Sequence, residues 1–168
     1  MPRLCLVGLL VFCLVGAVAA DDTRRERHGT VTWVYDGDTL EIVPWGTVRL
    51  IGIDAPEQKA SPRDDYLLRQ GVPAARLREI ARTARDFNIR HVKGTSVQLT
   101  LDATPRDRHG RLLAYVTLVT GKLLNRVLVR QGLAVVYRRF SFRLKDDFLV
   151  AEDDARQAEV GLWASESR

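Results

Sequence analysis

The sequence predicts one α+β domain, mainly β, in which five short strands are joined by three helices. Three observations lead there. The chain has 168 residues, 46% of them apolar, enough for one sizeable core. Five short runs favour strands: each of them is rich in β-branched or aromatic residues, or alternates apolar with polar, and the runs are separated by Gly, Pro or Asp turns. Helical spacing of apolar residues is confined to three places, near residues 73–91, 124–128 and 142–159.

The first twenty residues stand apart. Arg3 is followed by the apolar run Leu4 to Val18, then by small residues around Ala19 and Ala20, then by the charged run Asp21 to Arg27. That pattern reads as a secretory signal peptide, with the domain proper at 21–168. An uncleaved anchor is the alternative, but the run is short for a span of about 20 residues. Cys13 lacks the small preceding residues of a lipoprotein site. The expectation is a secreted or periplasmic monomer without stable membrane association once the leader is removed.

From Thr30 to Val43 two strands are expected around the hairpin signal Asp36-Gly37. Pro44-Trp45-Gly46 turns into a third strand, Thr47 to Ile53. Gln58 to Val72 is polar and irregular, a long loop. Pro73 suits a first helical turn, and Leu77, Ile80, Ala84 and Phe87 carry an amphipathic helix to about His91. Val97, Leu99 and Leu101 alternate with polar residues in a fourth strand. Asp102 to Gly110 reads as a charged loop and Arg111 to Val119 as a fifth strand. A short helix carries Leu124, Val127 and Leu128 and is closed by Gly132. Leu133 to Tyr137 is extended. The last helix, about Phe142 to Glu159, is stopped by Gly161, with Trp163 folding back. A helix after the third of five strands matches the five-stranded Greek-key barrel called the OB-fold. That architecture binds many ligands and does not itself assign a function.

Composition narrows the chemistry. Both cysteines, Cys5 and Cys13, lie in the leader, so thiol catalysis, disulfides and Cys-bound metals are not expected of the domain. His28, His91 and His109 lie in separate segments. The net charge of +5 falls to about +4 without Arg3, a mild surplus compatible with a polyanionic partner.

Three segments carry candidate chemistry. Asp36-Gly37-Asp38-Thr39 is a turn motif, yet Asp38 stands where a strand should begin, and strands disfavour aspartate. Val48 to Ile53 is apolar on both faces except for Arg49, a charge in need of a partner or a purpose. Asp54 and Glu57 follow, their spacing set by Ala55-Pro56. In Pro105-Arg106-Asp107-Arg108-His109-Gly110-Arg111, Arg111 enters a strand and can face the same mouth as Arg49. Two aspartates, a backbone carbonyl and water form an oxygen-only set suited to calcium. With a glutamate and two guanidinium groups, that set suits phosphodiester hydrolysis.

At this point the chain closely resembles the staphylococcal nuclease-like (thermonuclease) family. The likeness rests on Asp36-Gly37-Asp38-Thr39, on Arg49-Leu50 with Ile53 to Glu57, on Asp107 to Tyr115, on Leu124-Asn125 with Leu128 to Ala134, and on Gly161-Leu162-Trp163. It spans about Gly29 to Trp163. The resemblance implies Ca2+ held by Asp38, Asp54 and the carbonyl of Ala55, with Asp36 just behind. It implies Glu57 as general base and Arg49 and Arg111 as phosphate-binding catalytic residues. Arg108 and His109 stand where the family contacts a terminal phosphate, and Leu113 and Tyr137 complete the candidate substrate contacts. The implied activity is cleavage of DNA and RNA to products with 3′-phosphate ends. Ala55 departs from the family's threonine, and a carbonyl ligand tolerates that change. Two other readings exist. A barrel of this kind can bind nucleic acid or methylated peptide without cutting, but it would have no need of all five charged residues. A sugar-binding barrel could use Trp33 and Trp45 as platforms, but it leaves the arginines and acids without a role.

Overall fold

The computed structural model describes residues 26–165. In chain order its elements are β1 (Arg27–Val34), β2 (Thr39–Val43), β3 (Gly46–Leu50), β4 (Ile53–Asp54), α1 (Asp65–Leu68), α2 (Ala74–His91), β5 (Ser96–Arg106), β6 (Leu112–Leu118), α3 (Leu124–Arg130), β7 (Val135–Val136) and α4 (Lys145–Gln157). The leader expected at 1–20 lies outside the described residues. Among the described residues, no helix is long and apolar enough to cross a membrane.

Five strands close a mixed barrel in the order β1-β2-β3-β6-β5. The alternation seen in sequence explains the register. Leu40 and Ile42 of β2, Val48 and Leu50 of β3, Val97 and Leu99 of β5, and Leu112, Ala114 and Val116 of β6 all point inward and are buried. β3 and β6 pair in parallel, Val48 with Leu112, Arg49 with Leu113 and Leu50 with Ala114; the other pairings are antiparallel. The five-stranded barrel is the architecture expected from the sequence.

Five details differ from expectation. The third strand stops at Leu50, because Gly52 takes a φ of 81° and turns the chain. Ile53 and Asp54 therefore leave the barrel and pair with Val136 and Val135 in a separate two-stranded sheet. A Cβ at Gly52 would also lie 2.5 Å from the Phe142 ring. The 58–72 segment contains the one-turn helix α1, a fourth helix too short for helical spacing to announce. β5 runs on to Arg106, through what reads as a charged loop, with an irregular register between Leu101 and Arg106. The last helix begins three residues late, at Lys145. Pro73 sits one position outside α2, as its N-cap. Trp163 does fold back, with the Arg156 guanidinium 3.5 Å from its ring centroid.

Two buried asparagines tie the frame together. Asn125 of α3 donates to the carbonyls of Ile51 (2.9 Å) and Ala114 (3.2 Å) and accepts from the Val116 amide (3.0 Å). It thus joins β6 to the corner where β3 ends. Asn88 of α2 donates to the carbonyl of Gly37 at 3.0 Å and so holds the β1–β2 turn against the helix. That turn is pressed close: a Cβ at Gly37 would meet the Cβ atoms of Ala55 and Ala84 at 2.6 and 2.8 Å.

Replacing Asn125 with Ala removes the side-chain partner of the Ile51 carbonyl and the Val116 amide in a dry environment, while the Ala114 carbonyl keeps the Ile51 amide. The expected loss is about 3 kcal/mol, read from the urea midpoint at unchanged slope. A loss below about 1 kcal/mol would show that the barrel–helix joint is held by packing alone.

Candidate functional site

The site begins with the backbone around Asp38. Thr39 pairs with Arg49 across β2 and β3, and the Leu50 amide donates to the Asp38 carbonyl at 2.8 Å. Asp38 is therefore placed beside Arg49 by the hairpin itself. Its side chain is 1% exposed. One oxygen accepts from the Ala55 amide at 2.7 Å, and the other accepts from Thr39 Oγ1 at 3.1 Å and from Arg49 Nη1. Asp36 Oδ1 accepts from the Asp38 amide at 3.0 Å, which fixes the turn from behind.

Arg49 spans two acids from different segments. Nη1 reaches Asp38, and Nη2 donates to Asp54 Oδ1 at 2.6 Å. The sequence places Arg49 on one face with Ile51 and Ile53, in apolar surroundings. The structure corrects this, because the turn at Gly52 ends the strand and breaks that parity. The guanidinium instead sits at the barrel rim between two carboxylates.

Electrostatics differ on the two sides of this clasp. Burial works against the Arg49 charge, but Asp38 and then Asp54 outweigh it and raise its pKa above the ordinary value. Burial pushes Asp38 from 3.8 up to about 7; Arg49 opposes this, while Asp36 and Asp54 add to it. The pair thus favours a charged arginine more than a charged aspartate. The reason is that Asp38 is the more deeply buried partner and faces two further acids. Asp36, Asp38 and Asp54 outnumber the guanidinium groups of Arg49 and Arg63 beside them, and all available donors are oxygen. That suits a hard divalent cation. Among the described residues, no three His, Cys, Asp or Glu side chains converge closely enough to hold an ion alone. Asp38 and Asp54 would therefore need carbonyl and water oxygens beside them, and the Ala55 carbonyl is adjacent in sequence.

The other candidates reach the site by separate routes. Because Arg49 pairs with Leu113 and side chains alternate along β6, Arg111 shares the side of Leu113. Arg49, Arg111 and Leu113 line one open cleft of about 640 Å³, together with Asp54. Arg111 Nε donates to Asp107 Oδ2 at 2.8 Å, and Asp107 Oδ1 accepts from the His109 and Arg111 amides. Arg108 and His109 are exposed and line the same cleft, as does Tyr137, whose ring packs 5.1 Å from that of Phe140. Glu57 and Asp38 are not among the lining residues. Glu57 lies at the edge, where Arg63 Nη1 holds its Oε1 at 2.7 Å and stands 3.8 Å from Asp54 Oδ1.

Sequence reasoning missed Arg63, and also Tyr66, Arg69, Arg138, Arg139 and Phe140, all of which line the cleft. The only signal was the arginine content of two irregular stretches, 58–72 and 137–140.

Comparison with known proteins follows from this geometry. The family model described as staphylococcal nuclease homologue matches residues 47–165. An uncharacterised protein of Methanocaldococcus jannaschii is 36% identical over 155 residues, covering 84% of this chain and 74% of that protein. An uncharacterised endonuclease of Escherichia coli O157:H7 is 35% identical over 141 residues, covering 82% and 77%. A thermonuclease of Staphylococcus hyicus is 30% identical over 146 residues, covering 84% and 78%.

Because Asp38 is raised by burial, its contribution to stability is complete below its ordinary value and is lost as pH rises toward 7. With chelator present, Asp38→Asn is expected to match the parent near pH 4. It should exceed it by on the order of 1–2 kcal/mol above pH 7 in urea unfolding. A variant less stable than the parent at the higher pH would contradict this balance of charges.

Proposed function

We propose, from the premise that this chain belongs to the staphylococcal nuclease homologue family and is a nuclease, that it is an exported, calcium-dependent phosphodiesterase cutting DNA and RNA. Its products would end in 3′-phosphate. The observation that carries this reading is the Arg49 guanidinium held across Asp38 and Asp54 at a rim shared with Arg111. Export rests on the leader pattern at 1–20, and a monomer is the simplest assembly for a barrel with no unpaired edge.

Asp38, Asp54 and the Ala55 carbonyl would hold Ca2+. When bound, the ion supplies Lewis acidity and neutralises phosphate charge. The rest of the chemistry belongs to the side chains. Arg49 presents a planar fork that matches two phosphate oxygens. Arg111 uses Nε for Asp107, which fixes the plane of its guanidinium and leaves the terminal nitrogens facing the cleft. Together the two arginines neutralise the charge that grows on the equatorial oxygens in the five-coordinate transition state. Glu57 accepts the proton of the attacking water. Its contact with Arg63 orients it until substrate enters. Arg108 and His109 would meet a terminal phosphate, Leu113 would pack against the nucleotide, and Tyr137 would contact a base.

The test is digestion of end-labelled single-stranded DNA and of RNA, with calcium and with chelator, followed by identification of the new ends. Cleavage only with calcium, leaving 3′-phosphates, is expected. Glu57→Gln should lower turnover by about 10²–10⁴. Arg49→Lys should lower it by about 10²–10³ with an unchanged circular dichroism spectrum, since a point charge cannot fork onto phosphate. Tight binding of nucleic acid without cleavage in every arm would instead identify a binding module.

A further inference from the structure

The cleft is also lined by two segments of which the proposed chemistry uses only Arg63 and Tyr137. One is the 58–72 segment. It is anchored: Ser61 Oγ accepts from the Arg63 amide at 3.1 Å, the Ser61 amide donates to Asp64 Oδ2 at 3.1 Å, and buried Asp64 lies 2.7 Å from Arg78 Nη2 of α2. This capping box makes a fixed platform that presents Arg63, Tyr66 and Arg69 to the cleft.

The facing wall is 137–140. Its base is also anchored, because Glu152, fully buried on α4, accepts from the Val136 amide at 3.0 Å and from Arg138. Arg138 is thereby neutralised, and its guanidinium lies 5.7 Å from the Tyr66 ring, so it ties the two walls. Beyond it stand Arg139 and Phe140, the latter 39% exposed. Arg69 and Arg139 are exposed, line the cleft and form no salt bridge with any described residue. Each remaining arginine of this limb has an acid: Arg63 has Glu57 and Arg138 has Glu152.

Two unneutralised guanidinium groups on anchored walls of one cleft, with an exposed aromatic next to Arg139 in the chain, form a site for a flexible polyanion that carries flat apolar groups. We propose that the 58–72 and 137–140 walls form a second nucleic-acid-binding limb. In it Arg69 and Arg139 hold backbone phosphates of a single strand beyond the scissile bond, and Phe140 stacks on an unpaired base. A duplex would keep its bases stacked on each other and could not use Phe140. This rests on the nuclease reading for the identity of the central site, while the limb itself is tested by binding alone.

The experiment measures binding of a fluorescent 16-nucleotide single-stranded DNA to the full chain by anisotropy, in chelator, over a salt series. The proteins are the parent, Arg69→Ala/Arg139→Ala, and the charge-matched control Arg82→Ala/Arg90→Ala, whose residues are exposed on α2 outside the cleft. The limb predicts that the first pair lowers affinity at least about tenfold. It also predicts a drop of about 1.4 in the magnitude of the salt slope, roughly 0.7 for each lost phosphate contact, with the control close to the parent. Phe140→Ala should weaken single-strand binding and leave the salt slope unchanged. Equal losses in the two double variants, or none in the first, overturn the limb. The nuclease reading fails separately, if the parent cuts no nucleic acid with calcium.

Discussion

One guanidinium held between two carboxylates organises this molecule. Arg49 comes from the barrel, Asp38 from the hairpin that precedes it, and Asp54 from a strand that has already left the barrel. No local rule brings them together. The hairpin register sets Arg49 beside Asp38, the positive φ of Gly52 swings Asp54 back across, and the pairing of Asp54 with Val135 fixes it there. Each of these is a backbone constraint, so the clasp is a consequence of the fold and not of side-chain search.

The frame that holds the clasp relies on buried polar contacts at its margins. Asn88 presses the Asp36–Thr39 turn onto α2, Asn125 joins β6 to the corner after β3, and Glu152 secures β7 from below. Such groups are costly to bury without partners; Asn125 and Glu152 are paired, and Asn88 is paired through its Nδ2, so they act as specific joints. The site itself is the opposite case. Asp38 is buried among like charges, and the acids outnumber the cation between them. Burial among like charges makes this the less stable part, and the joints around it supply the rigidity.

Much of this was legible in the sequence, for identifiable reasons. Alternation at Val97–Leu101 and helical spacing from Leu77 to Phe87 report burial directly, so the barrel strands and α2 fall where expected. Asp38, Arg49 and Asp54 stood out as charges in apolar or strand-forming surroundings, which is a physical anomaly that sequence can show. The environment of Arg49 was misread, because strand parity was carried through Gly52, and a positive φ resets it. Arg63, Arg69 and Arg139 were invisible for another reason. They lie on irregular segments, where no periodicity says which way a side chain points, and only the capping box of Ser61 and Asp64 and the buried Glu152 aim them at the cleft. Likewise the extension of β5 to Arg106 is polar and tertiary pairing alone makes it regular, while α1 is a single turn, too short for apolar spacing to show.

If the clasp is a charge waiting to be exchanged, Arg49 competes with a metal ion for the same two acids. Calorimetric titration of calcium into the parent and into Arg49→Met, both verified as folded, measures this directly. The account predicts that calcium binds the methionine variant at least about tenfold more tightly, because the ion no longer displaces a guanidinium from buried carboxylates. Equal or weaker binding in the variant would mean that Arg49 is not a stand-in for the cation, and the acid pair would need another explanation.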